Sequence, residues 1–170
     1  MLFYASMDAR AGLMVKQIKN LGMKTKILSM DGVMSNLFIK LAGGAAEGNM
    51  ASSIGLPQNK LAGFLKFSKK FSATYDAMQS HSPYSRDAFM ALVVAMNKAN
   101  STDQEKFSPQ IREVRSKGVT GPIQFDKNGD LLNGAIAIYR VQNGKWVAVS
   151  SSCVRRAPTV TAVSHSLVAF

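Results

Sequence analysis

Three groups of residues have the types and spacing to do chemistry. Asp126, Asn128 and Asp130 alternate as the first ligands of an EF-hand calcium loop do, offering oxygen atoms to a hard cation. The pattern then breaks: Gly129 comes two places before the position where that loop needs its glycine, and Ala137 stands where the terminal Glu is required. A turn is the better reading, and no metal or other cofactor is expected. Cys153 is the single cysteine, so no intramolecular disulfide can form, and neither His81 nor His165 falls in a catalytic signature with it. The third group is basic. Lys66, Lys69 and Lys70 lie together, and Arg112, Arg115 and Lys117 follow at helical spacing, within a chain of 21 basic and 10 acidic residues and formal net charge +11. These groups read as solvated helix faces, with a polyanion contact as the alternative. No groove-entering or stacking motif accompanies them, so nucleic acid is not the expected partner. The sequence also lacks a phosphate loop, a dinucleotide fingerprint, a zinc-ligand cluster and a Ser-His-Asp order, so an enzyme is not expected.

The elements that must position such residues follow from periodicity. At 170 residues, 46% of them apolar, the chain has room for a sizeable core. Leu2 to Tyr4 reads as a short strand, Asp8 as the N-cap of a helix from Ala9 to Leu21 that Gly22 stops, and Lys24 to Met30 as a second strand. This is a βαβ unit. Ser35 caps a short helix to Ala42, and a strand from about Gly48 to Ile54 precedes Pro57. The period then turns helical. Leu61, Phe64, Leu65, Ser68 and Phe71 form one stripe, and Phe89, Leu92, Val93 and Met96 another. Ser108 and Pro109 are expected to open a third helix carrying Ile111 and Val114. Between Asn59 and Lys117 little strand is predicted. From Gly118 the pattern is strand, turn, strand. The Asn143-Gly144 pair marks a two-residue hairpin turn, because both central positions need positive φ.

In this order the strings FYASMDARAGLMVKQIKNLGMKTKIL, MDGV, LAGGAAEGNM, SPYSRDAFMALVVAMNKANSTD and GPIQFDKNGD…IYRVQNGKW resemble the C-terminal half of the branched-chain amino-acid binding proteins. These are type I periplasmic receptors of ABC transporters. The resemblance covers about Met1 to Val149. It implies a partial type I periplasmic-binding-protein fold, an α/β class with three-layer αβα lobes, truncated and ending in a β-hairpin. Residues 1–55 are assigned to the second lobe, 56–134 to the first, 135–149 to a return to the second, and 150–170 to an unmatched tail in which Thr159 to Val163 could add an edge strand.

By the same resemblance Asp31 aligns with the acidic residue that meets a ligand ammonium, with Gly32 beside it, and Tyr84 with an aromatic residue of the side-chain pocket. Met7 stands where an aromatic is usual, and Ala5-Ser6 replaces a common Gly-Gly. On the residues alone, Asp31-Gly32 is also an ordinary turn, and Pro83-Tyr84 a helix entry with a packed ring. The implied partners are a leucine-, isoleucine- or valine-like amino acid and the permease subunits of an ABC importer. The first-lobe groups that hold a ligand carboxylate have no counterpart here, so weak binding is expected. So is an apolar helix face left bare and open to self-association. A ligand-free basic interaction module is the alternative. The family is periplasmic, but MLFYASMDAR lacks the features of a signal peptide, so a chain expressed as written is expected in the cytoplasm.

Overall fold

A computed structural model describes residues 1–75, 78 and 80–153. It contains two hydrophobic clusters, and the chain visits them in the order first, second, first. The first is built on a five-stranded sheet of order β1-β2-β3-β6-β7, from β1 (Leu2–Phe3), β2 (Ile27–Ser29), β3 (Met50–Ile54), β6 (Ala135–Gln142) and β7 (Lys145–Cys153). β1, β2 and β3 are parallel, whereas β6 and β7 run antiparallel to their neighbours. Helices α1 (Asp8–Asn20) and α2 (Asn36–Ala42) make the connections between the parallel strands. Successive right-handed crossovers that advance in one direction place both helices on one face of the sheet. There Ala11, Val15, Ile27, Phe38, Ala42 and Val141 are buried together, and Trp146 tilts against Phe38 with ring centroids 5.4 Å apart. Ile136, one residue out of phase with buried Ala137, is exposed on the opposite face.

Polar groups fix this cluster as well. Asn49 is fully buried before β3. Its Oδ1 accepts from the Ile27 N–H at 2.9 Å, and its Nδ2 donates to the carbonyls of Ala45 and Ala46 at 2.7 and 2.8 Å. It therefore ties β2 to the turn after α2. Ser29 Oγ donates to the Tyr4 carbonyl at 2.6 Å and holds β1 against β2.

The second cluster lies between the sheet's two visits. It comprises α3 (Phe64–Ser72), α4 (Ser82–Ala99), α5 (Gln104–Ile111) and a small antiparallel pair, β4 (Arg115–Lys117) with β5 (Pro122–Gln124). Ala91 and Ala95 of α4 pack with Val114 and Ile123 at its centre. The chain leaves the sheet after Ile54 and rejoins it at Ala135, where the Gly55 N–H donates to the Ala135 carbonyl at 2.6 Å.

Several expectations are corrected. Met7, not Asp8, is the N-cap of α1; the Asp8 carboxylate accepts instead from Ala9 N–H and from Ser35 Oγ, tying α1 to the start of α2. The third middle helix begins at Gln104, because Asp103 Oδ1 accepts from the Glu105 N–H at 3.1 Å and caps it; Pro109 falls in its last turn. Val114 lies beyond that helix. The middle block also has a strand of its own, β4, which the polar run Arg115-Ser116-Lys117 does not announce and which pairs with β5 in the strand-bearing stretch after Gly118. On α3, Leu65 is 84% exposed, and the packed rings are Phe67 and Phe71, with Tyr75 just beyond the helix. On α4 the buried side is Pro83, Asp87, Ala91 and Ala95, while Phe89 is 64% exposed on the bare side. Finally, β7 runs beyond Val149 to Cys153, so the first residues of the tail are strand; Thr159 to Val163 lie outside the described residues. The hairpin turn is as expected, with Asn143 at φ 53° and Gly144 at φ 69°.

Candidate functional site

The loops that leave the carboxyl ends of parallel strands are where open α/β sheets place ligands. Met7 lies in the connection after β1, and Asp31 and Gly32 lie in the turn after β2. The structure brings these three together. A Cβ built on Gly32 meets Met7 Sδ at 2.9 Å and the Ser6 carbonyl at 3.2 Å, so only glycine allows the Met7 side chain to lie so close to this turn. Asp31 stands beside it, partly exposed, with its carboxylate 3.6 Å from His81 Nε2.

His81 precedes α4 by one residue and is the N-cap of that helix. Sequence reasoning missed it, because a single histidine in a polar loop carries no spacing signal. Its place matters: it reaches Asp31 on one side, and three residues later Tyr84 lies on the same face of the helix. Tyr84 is half-buried and its hydroxyl donates to the Leu56 carbonyl at 3.5 Å. Its ring lies over Gly55, where φ is +82° and a Cβ would fall inside the phenol. Tyr139 lies near enough to Tyr84 to act on its hydroxyl. Burial raises the Tyr84 pKa, helped by Tyr139 and Asp87, and burial raises that of Tyr139, so both phenols stay protonated at neutral pH.

A cavity of about 590 Å³ opens between the sheet and this end of α4, lined by Ser53, Ile54, Leu56, Tyr84 and Tyr139, with Trp146 on its wall. That volume suits a small organic molecule, in the range of about 300–1,000 Å³. Tyr84 is the one expected site residue that lines it. Met7, Asp31 and Gly32 form a separate cluster joined to the Tyr84 region through His81 and through Met34, which follows the Asp31 turn and also lines the cavity. The other candidates hold no such place. Asp126 Oδ1 accepts from the N–H groups of Asn128 and Asp130 at 2.8 and 3.0 Å, which is turn chemistry rather than a calcium cradle. Cys153 is exposed on β7. Among the described residues, no three His, Cys, Asp or Glu side chains gather to hold a metal.

Residues 1–145 match the family model described as periplasmic binding protein. The chain belongs to that family. A leucine binding protein from Thermotoga maritima superposes on 88% of the chain with a TM-score of 0.77 at 25% identity. The Leu/Ile/Val-binding protein homolog 1 of Brucella suis is 26% identical over 144 residues, and homolog 2 of Brucella abortus is 29% identical over 130 residues. The chain spans 38% and 35% of the length of those two relatives and 43% of the Thermotoga chain. The mixed α/β architecture expected from the resemblance is thus that of these receptors, present in part.

Proposed function

We propose that this chain contributes one side of an amino-acid binding cleft in the solute-binding component of an ABC importer. Its ligand is leucine, isoleucine or valine, and its role is capture, not catalysis. The observation that carries this reading is the convergence of Met7, Asp31 and Gly32 at the carboxyl ends of β1 and β2, within a chain of this family. Asp31 meets the ligand ammonium, because a carboxylate in a closing cleft makes a charge-assisted hydrogen bond stronger than a neutral one. In the free chain that carboxylate faces His81, so the ammonium must replace the imidazole or share the carboxylate with it. Gly32 keeps the backbone low enough for approach, Met7 forms a wall, and Tyr84 borders the space for the aliphatic side chain.

In this reading residues 1–55 and 135–149 belong to one lobe and 56–134 to the other. The bond between Gly55 and Ala135 marks where two strands cross between lobes. The exposed apolar side of α4, with Phe89 at its centre, is then a surface that the rest of a first lobe covers, or that promotes self-association when uncovered. The partners are the permease subunits of the importer, and the working compartment is the periplasm.

The chain carries one half of a clamp for a zwitterion, and preorganised contacts from both sides are what offset the cost of ordering a ligand. Binding by these residues alone is therefore expected at about millimolar, roughly 4 kcal/mol. Amide-resolved NMR titration with leucine should shift the Asp31 and Gly32 resonances. N-acetyl-leucine, which has no ammonium, should leave them unmoved, and Asp31→Asn should abolish the response. Equal shifts with the acetylated ligand would remove Asp31 from its assigned role. A micromolar constant would show that a second half is not needed.

A further inference from the structure

One member of the later basic group, Lys117, meets two of the earlier group, Lys66 and Lys70, in the fold. Lys66 and Lys70, one helical turn apart on α3, Arg86 on α4 and Lys117 at the end of β4 line one open cavity of about 360 Å³. Its remaining wall is Phe67 and the backbone around Gly63, Gly118 and Val119. Among the described residues the ion pairs are His81 with Asp31, Arg86 with Asp87, and Lys98 with Glu113, so no described carboxylate pairs with Lys66, Lys70 or Lys117. Asp87 lies behind this wall and is already saturated: it accepts from the Val119 N–H, the Thr120 N–H and hydroxyl, and Arg86 at 2.7–3.0 Å. Like charges gathered in a concave site raise the local concentration of anions.

We propose that this cavity binds an oligophosphate, a chain of linked phosphates, either free or carried on a nucleoside. The backbone donors nearby are committed, with the Gly118 N–H given to the Gly121 carbonyl at 2.7 Å and those of Val119 and Thr120 given to Asp87. The ligand is therefore held by side-chain cations, three ammonium groups that act as point charges and reward charge density over exact shape, beside the Arg86 guanidinium, which Asp87 already partly neutralises. Three lysines from two elements, without an ion pair among the described residues, match several linked phosphates better than one. The cavity shares no lining residue with the Asp31 cluster or with the Tyr84 cavity, so it is independent of the amino-acid reading.

The test is calorimetry on the full chain at low salt with sodium tripolyphosphate, beside orthophosphate and ATP. Saturable binding at one site is expected, with orthophosphate at least about tenfold weaker. Lys66→Gln, Lys70→Gln and Lys117→Gln should each weaken it by about tenfold, the worth of one hydrogen bond to a charged group. All three side chains are exposed, so folding is not at risk, and circular dichroism checks it. Lys69→Gln, on the same helix but outside the cavity, removes the same charge and should change binding less than about twofold. ATP binding more tightly than tripolyphosphate identifies a nucleotide, with Phe67 beneath the base; equal or weaker binding identifies the free chain. Failure to saturate, orthophosphate binding as tightly as tripolyphosphate, or a Lys69 effect equal to that of Lys66 would overturn the proposal, since each points to diffuse net charge and not to a site.

Discussion

Replacing Asp87 with Ala should cost about 3–5 kcal/mol of stability, the usual penalty for removing one partner of a buried charged network. The side chain is 3% exposed and its two oxygens take four hydrogen bonds: Val119 N–H at 3.0 Å, Thr120 N–H at 2.7 Å, Thr120 Oγ1 at 2.8 Å and Arg86 Nη1 at 2.8 Å. Arg86 is 42% exposed and can turn to water, and the Thr120 hydroxyl can rotate. The two backbone N–H groups cannot follow, and each unsatisfied buried donor costs about 1–3 kcal/mol. Alanine also leaves a void behind Gly118, where an added Cβ would collide with the carboxylate, so that this glycine is part of the same arrangement. Asp87→Asn keeps one acceptor but points an NH₂ at a donor, so its loss should be smaller, about 2–3 kcal/mol. Thr120→Ala, which gives up one side-chain bond, should lose about 1 kcal/mol.

Urea unfolding followed by circular dichroism at 222 nm reads this series, and Thr120→Ala keeps it readable if Asp87→Ala does not fold. Acid sharpens the test. Burial pushes the Asp87 carboxyl up, but hydrogen bonds from the Thr120 N–H, Arg86, the Val119 N–H and the Thr120 hydroxyl outweigh it and hold its pKa below the ordinary value. A carboxyl with a lowered folded-state pKa adds stability above its unfolded pKa, about 3.9, and loses it as pH falls through the folded value. The gap between parent and Asp87→Ala should thus be level above about pH 5 and should narrow in more acidic solution. An Asp87→Ala loss under about 1 kcal/mol, or a gap that does not narrow in acid, would refute the assignment of Asp87 as the anchor of this loop.

Two further substitutions probe the other cluster and the crossing. Asn49→Ala removes the acceptor for Ile27 N–H and the donors for the Ala45 and Ala46 carbonyls, and a loss of about 3 kcal/mol in urea is expected, with faster amide exchange at Ile27. Gly55→Ala meets both a φ of +82° and the Tyr84 phenol, and should destabilise the chain by about 2 kcal/mol or more while moving the Tyr84 ring resonances in NMR; unchanged Tyr84 signals would mean that the two do not touch in solution.

How far the fold was legible depended on whether a local rule decided the element. The β6–β7 turn was readable because Asn143 and Gly144 suit the positive φ it requires, and α2 was readable because Ser35 caps it by accepting from the Phe38 N–H. The face of α4 was not. The rule that bulky apolar side chains point inward places Phe89 and Leu92 in the core, but the close approach of α4 to α5 and the Val114–Ile123 region admits only Ala91 and Ala95. An acidic side chain, Asp87, occupies a third inward position, and no helical pattern distinguishes an acid that will be buried from one that will be solvated. β4 escaped for the converse reason: Arg115 and Lys117 are exposed on a two-stranded pair whose central partner, Ile123, is buried. At the site, Asp31 and Tyr84 came from resemblance, whereas His81, which joins their neighbourhoods, is a contact between segments distant in sequence.

That contact gives the start of α4 a larger part than its sequence suggests. Within residues 81–87, His81 reaches the Asp31 turn after β2, Tyr84 covers Gly55 where the chain leaves the sheet, Arg86 lines the basic cavity, and Asp87 holds that cavity's wall from behind. Tyr84 and Asp87 are neighbours on one helical face, and Asp87 contributes to the raised Tyr84 pKa. A shift of this helical end relative to the sheet would therefore separate His81 from Asp31, uncover Gly55 and disturb the 118–120 loop together, because two turns of one rigid helix cannot move piecemeal. On the function proposed above, with Asp31 meeting the ligand and the chain crossing between lobes at Gly55, this helix would be joined to both and would couple capture to closure.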